Sequence, residues 1–144
     1  MVPSAYTFGL FAAALLVMLP QTVTADTFSF DSPSKDGALC IGKETQISYH
    51  VENNGGREYQ KVWLDLIDFT SQVRRVPLKF KSERPVDESQ WKSTHTWTPD
   101  SSLTPGSYNI QAKVLFKEPG IVKDNYNIQF MTYDRSVKLE NCSA

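Results

Sequence analysis

Histidine, cysteine and excess charge are all scarce in this chain of 144 residues. The two histidines, His50 and His95, fall on separate predicted strands. A zinc site takes three or four ligands, so the pair reads as ordinary strand residues and no metal is expected. Asp65 and Asp68 come nearest to a glycosidase carboxylate pair. Residues three apart in an extended strand point to opposite faces, which argues against that role. Asp87-Glu88 sits in a polar loop, and no G-x-S-x-G, Walker or dinucleotide motif occurs. These absences point away from an enzyme, and no cofactor is implied. The formal net charge is −1, without the basic excess of a nucleic-acid binder. No apolar tail follows the last predicted strand, so neither a GPI signal nor a second membrane segment is expected. Internal repeats, low-complexity segments and convincing amphipathic helices are missing too.

What the sequence does contain begins with an address. Phe8 to Leu19 is an apolar run, shorter than the roughly 20 residues a membrane span needs. Val23-Thr24-Ala25 after it fits the small-x-small rule of signal-peptide cleavage. Residues 1–25 are therefore expected to be a secretory signal, and residues 26–144 one mature domain with no stable membrane anchor. In an oxidising compartment Cys40 and Cys142 are expected to pair. Closing a loop of about 100 residues stabilises by about 4.7 kcal/mol in the chain-entropy view. Asn141-Cys142-Ser143 is a formal N-glycosylation sequon, although a bonded cysteine at its centre works against occupancy of Asn141.

The mature segment alternates with period two. Tyr108, Ile110, Ala112, Val114 and Phe116 share one face, and Asn109, Gln111, Lys113 and Lys117 the other, after a turn at Pro105-Gly106. Ile47, Tyr49 and Val51 alternate likewise, as do Val76, Leu78 and Phe80, and Trp91, Ser93, His95 and Trp97. Phe28 and Phe30 mark a short first strand, Ser32 to Gly37 a loop leading to Cys40, and Asn53-Asn54-Gly55-Gly56 a tight turn. Tyr126 to Tyr133 is a further strand, and Val137 to Leu139 leads into Cys142. Seven or eight strands with no helix predict an antiparallel β-sandwich.

Two groups of residues are candidates for binding. Arg74, Arg75, Lys79, Lys81 and Arg84 form the one basic run, and Pro77 lies among them on the outward parity. Lysine and proline on a strand's outer side protect a sheet edge; the same cations, chiefly Arg75, Lys79 and Lys81, also suit an anion or polysaccharide contact. The strand Tyr59 to Phe69 is apolar on both faces, with Val62, Leu64 and Leu66 on one and Trp63, Ile67 and Phe69 on the other. Trp63 and Tyr59 are therefore candidates for stacking on sugar rings, whereas Trp97 and Tyr108 are expected in the core.

Three stretches carry a resemblance: Phe28 to Pro33, Gly42 to Tyr49, and Trp97-Thr98-Pro99 through Pro105-Gly106-Ser107-Tyr108-Asn109-Ile110. Together they resemble the immunoglobulin-like domain of fungal secreted cell-wall proteins associated with β-1,6-glucan synthesis. That resemblance implies an extracellular or wall-associated binding module without catalytic residues. Pro105 to Ala112 and the early-to-late cysteine pair are also similar to the MD-2-related lipid-recognition family, whose sheets part to hold a lipid. The expectation is a secreted, immunoglobulin-like or fibronectin-III-like β-sandwich that binds an extracellular polysaccharide or a surface protein, including as a secreted effector. The alternative is a small lipid carrier. The two differ in whether Ile47, Val62, Leu64, Ile110, Val114 and Phe116 close on one another.

Overall fold

The period-two alternation becomes two facing sheets in the computed structural model, which describes residues 26–69, 74–120 and 125–143. The expected secretory signal, residues 1–25, lies outside the described residues. The strands are β1 Thr27–Ser32, β2 Gly37–Cys40, β3 Thr45–Glu52, β4 Glu58–Asp68, β5 Arg74–Glu83, β6 Gln90–Trp97, β7 Gly106–Pro119 and β8 Tyr126–Glu140. The smaller sheet runs β1-β3-β6 and the larger β2-β8-β7-β4-β5. This places the first, third and sixth strands against the fourth, seventh and eighth, the layout of an immunoglobulin-like sandwich. Among the described residues no helix is long and apolar enough to cross a membrane.

Two details depart from the sequence reading. Part of the expected loop to Cys40 is strand β2, which pairs in parallel with Val137 to Glu140, whereas the other pairings are antiparallel. The expected strand Tyr126 to Tyr133 continues through Val137 to Leu139 as one strand, β8, because β7 offers it a partner from Gly106 to Pro119.

β7 lies in the middle of the larger sheet and supplies its most continuous buried row. Tyr108, Ile110, Ala112, Val114 and Phe116 are all buried. Tyr108 also donates its hydroxyl to the Thr104 carbonyl at 2.7 Å, the tyrosine corner that fixes the entry of such a strand in Greek-key sandwiches. Facing this row are Phe28, Ile47, Tyr49, Val51, Trp91 and Trp97 of the smaller sheet. Ile47, Val62, Ile110 and Val114 have 0% exposure, and Leu64 and Phe116 have 1%. A void wide enough to admit water would leave accessible surface on these side chains. The interior they line is filled.

Side chains bridge both long edges. On one, Phe28 of β1 stacks on Tyr133 of β8 at 4.8 Å, and Arg135 of β8 donates to the Phe30 carbonyl at 2.7 Å. On the other, Phe80 of β5 stacks on His95 of β6 at 4.8 Å. Cys40 and Cys142 form the disulfide, with Cα atoms 5.3 Å apart. It locks the end of β2 to the segment just past β8.

β5 is the outer strand of the larger sheet, and its register against β4 slips between Leu64 and Asp65. Pro77 thus occupies an edge strand beside an irregularity, the two settings in which strand proline is tolerated. Lys79 within the slip has φ of 60°, a left-handed conformation that works against edge-to-edge pairing.

Candidate functional site: the outer face of the larger sheet

The outward parity of β4, β7 and β8 brings an aromatic and aliphatic strip to the surface. Even-numbered residues of β7 point inward, so Lys113, Leu115 and Lys117 point out. Cross-strand register then sets the surface row by row. Lys81, Trp63, Lys113 and Thr132 lie side by side across β5, β4, β7 and β8. The next row is Glu83, Lys61, Leu115 and Phe130, and Lys117 pairs with Ile128 in the row after that. Trp63 and Phe130 meet diagonally with ring centroids 6.1 Å apart. Lys113 places its ammonium 4.3 Å from the Phe130 ring centre, and Lys117 places its own 5.9 Å from that of Tyr126. Phe130 is 53% exposed, Ile128 63% and Tyr126 56%. Large apolar side chains this open and contiguous, with lysines among them, make this face the candidate interaction surface.

Electrostatically this end of the face is basic. Glu83 bridges Lys81 at 2.7 Å and Lys61 at 3.2 Å. Lys81, and after it Lys61, hold the Glu83 carboxyl below its usual range. Further along, Arg75 pairs with Asp65 at 3.4 Å and donates to Gln111 Oε1 at 3.0 Å, and Gln111 donates to Asp134. That network ties four strands together, with Arg75 offsetting Asp65 and the neutral Gln111 amide donating to Asp134.

Of the five residues that the sequence nominated for ligand contact, the structure puts Trp63 and Lys81 side by side on this face. Arg75 shares the face but stands opposite Ile67, committed to Asp65 and Gln111. Lys79 lies at the slipped edge, lining a surface depression of about 310 Å3 with Leu66, Leu78, Trp97 and Leu103. Tyr59 is not on the surface at all. It is 1% exposed, packs edge-on against Phe116, and its hydroxyl bonds that of Tyr133 at 2.8 Å. The cause is an extra residue, Gln60, which bulges out of β4 between Tyr59 and Lys61 and inverts the parity before it. Tyr59 is a core residue, and burial, then its bond to Tyr133, pushes its hydroxyl pKa upward.

Phe130, Ile128 and Leu115 were missed. Leu115 was the available signal, an apolar residue on the outward side of an otherwise polar-faced strand.

The remaining candidates separate. His50 faces outward from β3 and meets Asp31 at 2.6 Å, whereas His95 faces inward from β6. His95 shares a half-buried polar cluster with Ser82 and Ser93, its Nε2 lying 3.0 and 3.2 Å from their hydroxyls. Tyr49 adjoins this cluster, and burial raises its hydroxyl pKa against the opposing pull of Ser82 and Ser93. Asp65 and Asp68 occupy opposite faces of β4, Asp68 being buried. Among the described residues no three His, Cys, Asp or Glu side chains gather as a metal site would require. Asn141 is exposed beside the bonded Cys142.

No protein-family model matches this chain. No curated protein matches it at a significant level. Among solved structures, it is similar to a mutant β-glucosidase from Listeria innocua in complex with laminaribiose, at 15% identity and a TM-score of 0.46. That match covers 81% of this chain and 16% of the glucosidase. It is also similar to the CARDB domain of a Pyrococcus furiosus protein in complex with di-metal ions, at 22% identity and a TM-score of 0.38, covering 78% of this chain and 85% of that one.

Proposed function

We propose that this chain is a secreted, non-catalytic binding module that engages an extracellular polysaccharide through the outer face of β4, β7 and β8. The observation that carries the reading is the Trp63–Phe130 pair, set flush on a sheet and continued by Leu115 and Ile128. Aromatic rings offer a flat apolar face to the C–H side of a sugar, and a sheet surface presents them in line along a chain of sugars. The disulfide suits an oxidising, extracellular setting. The filled interior supports surface binding over a lipid held between the sheets.

Trp63→Ala is the direct test. It removes an outward ring and leaves the interior row intact. Retention of the secreted protein on insoluble wall polysaccharides is expected to fall about fivefold to tenfold, a factor in keeping with the loss of one aromatic stacking contact. The melting temperature should stay close to that of the parent. Unchanged retention would remove the face from consideration.

A further inference from the structure

Resting on that reading, we infer that the polysaccharide is anionic, its sugars carrying carboxylate or sulfate groups that lysines beside the stacking rings receive. The placement of charge carries this step. The chain as a whole is close to neutral, at −1. Yet Trp63 stands between Lys81 on β5 and Lys113 on β7, its direct neighbours in register. Leu115, in the next row, has Lys61 on one side and Phe130 on the other.

The acids of the same face do not cancel this. Glu83 is the carboxylate in register with Lys61, and two lysines share it. Glu58 stands in register with Lys117 and is paired with Arg84 at 3.2 Å. Asp65 and Asp134 lie toward the other end, held by Arg75 and Gln111. Asp31 and Glu52 belong to strands of the smaller sheet. A neutral glucan would make no use of cations at this density. A sugar chain with one acidic group every residue or two would place them where Lys81, Lys113 and Lys61 stand as its rings cover Trp63 and Phe130. Lys113 already lies over the Phe130 ring, a cation–π contact that keeps its ammonium among the aromatic rings.

The experiment is affinity electrophoresis of the purified secreted protein through gels containing polygalacturonate or neutral laminarin, with phosphatidylserine vesicle flotation in parallel. Variants are Trp63→Ala and the double substitution Lys81→Gln with Lys113→Gln, all at outward positions. The inference expects retardation by polygalacturonate well beyond that by laminarin. It expects that retardation to fade as salt rises past about 0.1 M, where screening reaches ~10 Å. The double lysine variant should lose roughly threefold to tenfold in affinity for polygalacturonate, and Trp63→Ala should lose binding on either polymer. Equal retardation by the two polymers, unmoved by the lysine changes, would overturn the anionic inference and leave the stacking reading in place. Retardation by neither polymer would overturn both. Stronger binding to the vesicles than to polygalacturonate would overturn the inference in favour of an anionic membrane surface.

Discussion

Trp63 and Tyr59 share β4 and carry similar aromatic mass, yet one lies on the outer surface and the other is sealed inside. What separates them is backbone register rather than side-chain chemistry. His95 shows the same dominance of place. Burial lowers its pKa from the ordinary value of 6.5, since desolvation penalises the charged ring, and Phe80 stacks on its face. The neutral form is therefore the one the fold accepts. A depressed histidine pKa means that the folded state resists binding the proton that the unfolded chain takes up. The associated stability is intact above about pH 6.5 and is lost as pH falls through the folded value. Melting temperatures measured between pH 8 and pH 5 should fall on the acid side, and His95→Gln, which cannot ionise, should flatten that fall. An equally steep fall in the variant would assign the effect elsewhere.

Among the elements, β7 was the most legible in sequence, whereas the inward face of β8 and the existence of β2 were not legible. β7 has polar residues on nearly all its outward positions, so its inward face reads directly from Tyr108 to Phe116. β8 carries Ile128 and Phe130 on one parity and Met131, Tyr133, Val137 and Leu139 on the other, so alternation alone gives two faces without saying which is inside. Pairing with β7 decides it, by setting Ile128 against the outward Lys117. β2 was hidden for another reason. Four residues in parallel pairing with a distant strand leave no local pattern. The bulge at Gln60 was equally silent, since a polar residue in a strand looks like any outward position. It has a measurable consequence. Deleting Gln60 removes the extra residue and forces either Tyr59 out of the core or the start of β4 out of register. Burial of one large side chain is at stake, so the deletion should cost roughly 1.5–3 kcal/mol by urea denaturation. A stability unchanged by the deletion would mean that the bulge does not place Tyr59.

For the molecule as a whole, the architecture was legible because both sheets alternate and because two cysteines at the ends of one domain have few ways to be satisfied. The proposed binding face was half legible. Trp63 was identified because its strand is apolar on both sides, while Phe130 emerged only once β8 was laid beside β7. The disulfide spans a separation of 102 residues and ties the four-residue β2 to the sheet. Replacing both cysteines with serine should destabilise the domain by about 2–5 kcal/mol, read from the denaturation midpoint, with β2 the first strand to lose hydrogen-exchange protection. Together, the filled core and the ringed outer face support the proposal that ligand meets this protein on a sheet surface and not between its sheets. An NMR titration of the labelled protein with soluble oligogalacturonide, and separately with a fatty acid, tests it most directly. Sugar-dependent shifts are expected at the Trp63 indole, the Phe130 ring and the Ile128 methyls, with the methyls of Ile47, Ile110 and Val114 unmoved. Fatty-acid shifts at those interior methyls, or at Leu66, Leu78 and Leu103 along the β5 edge, with Trp63 silent toward sugar, would contradict it.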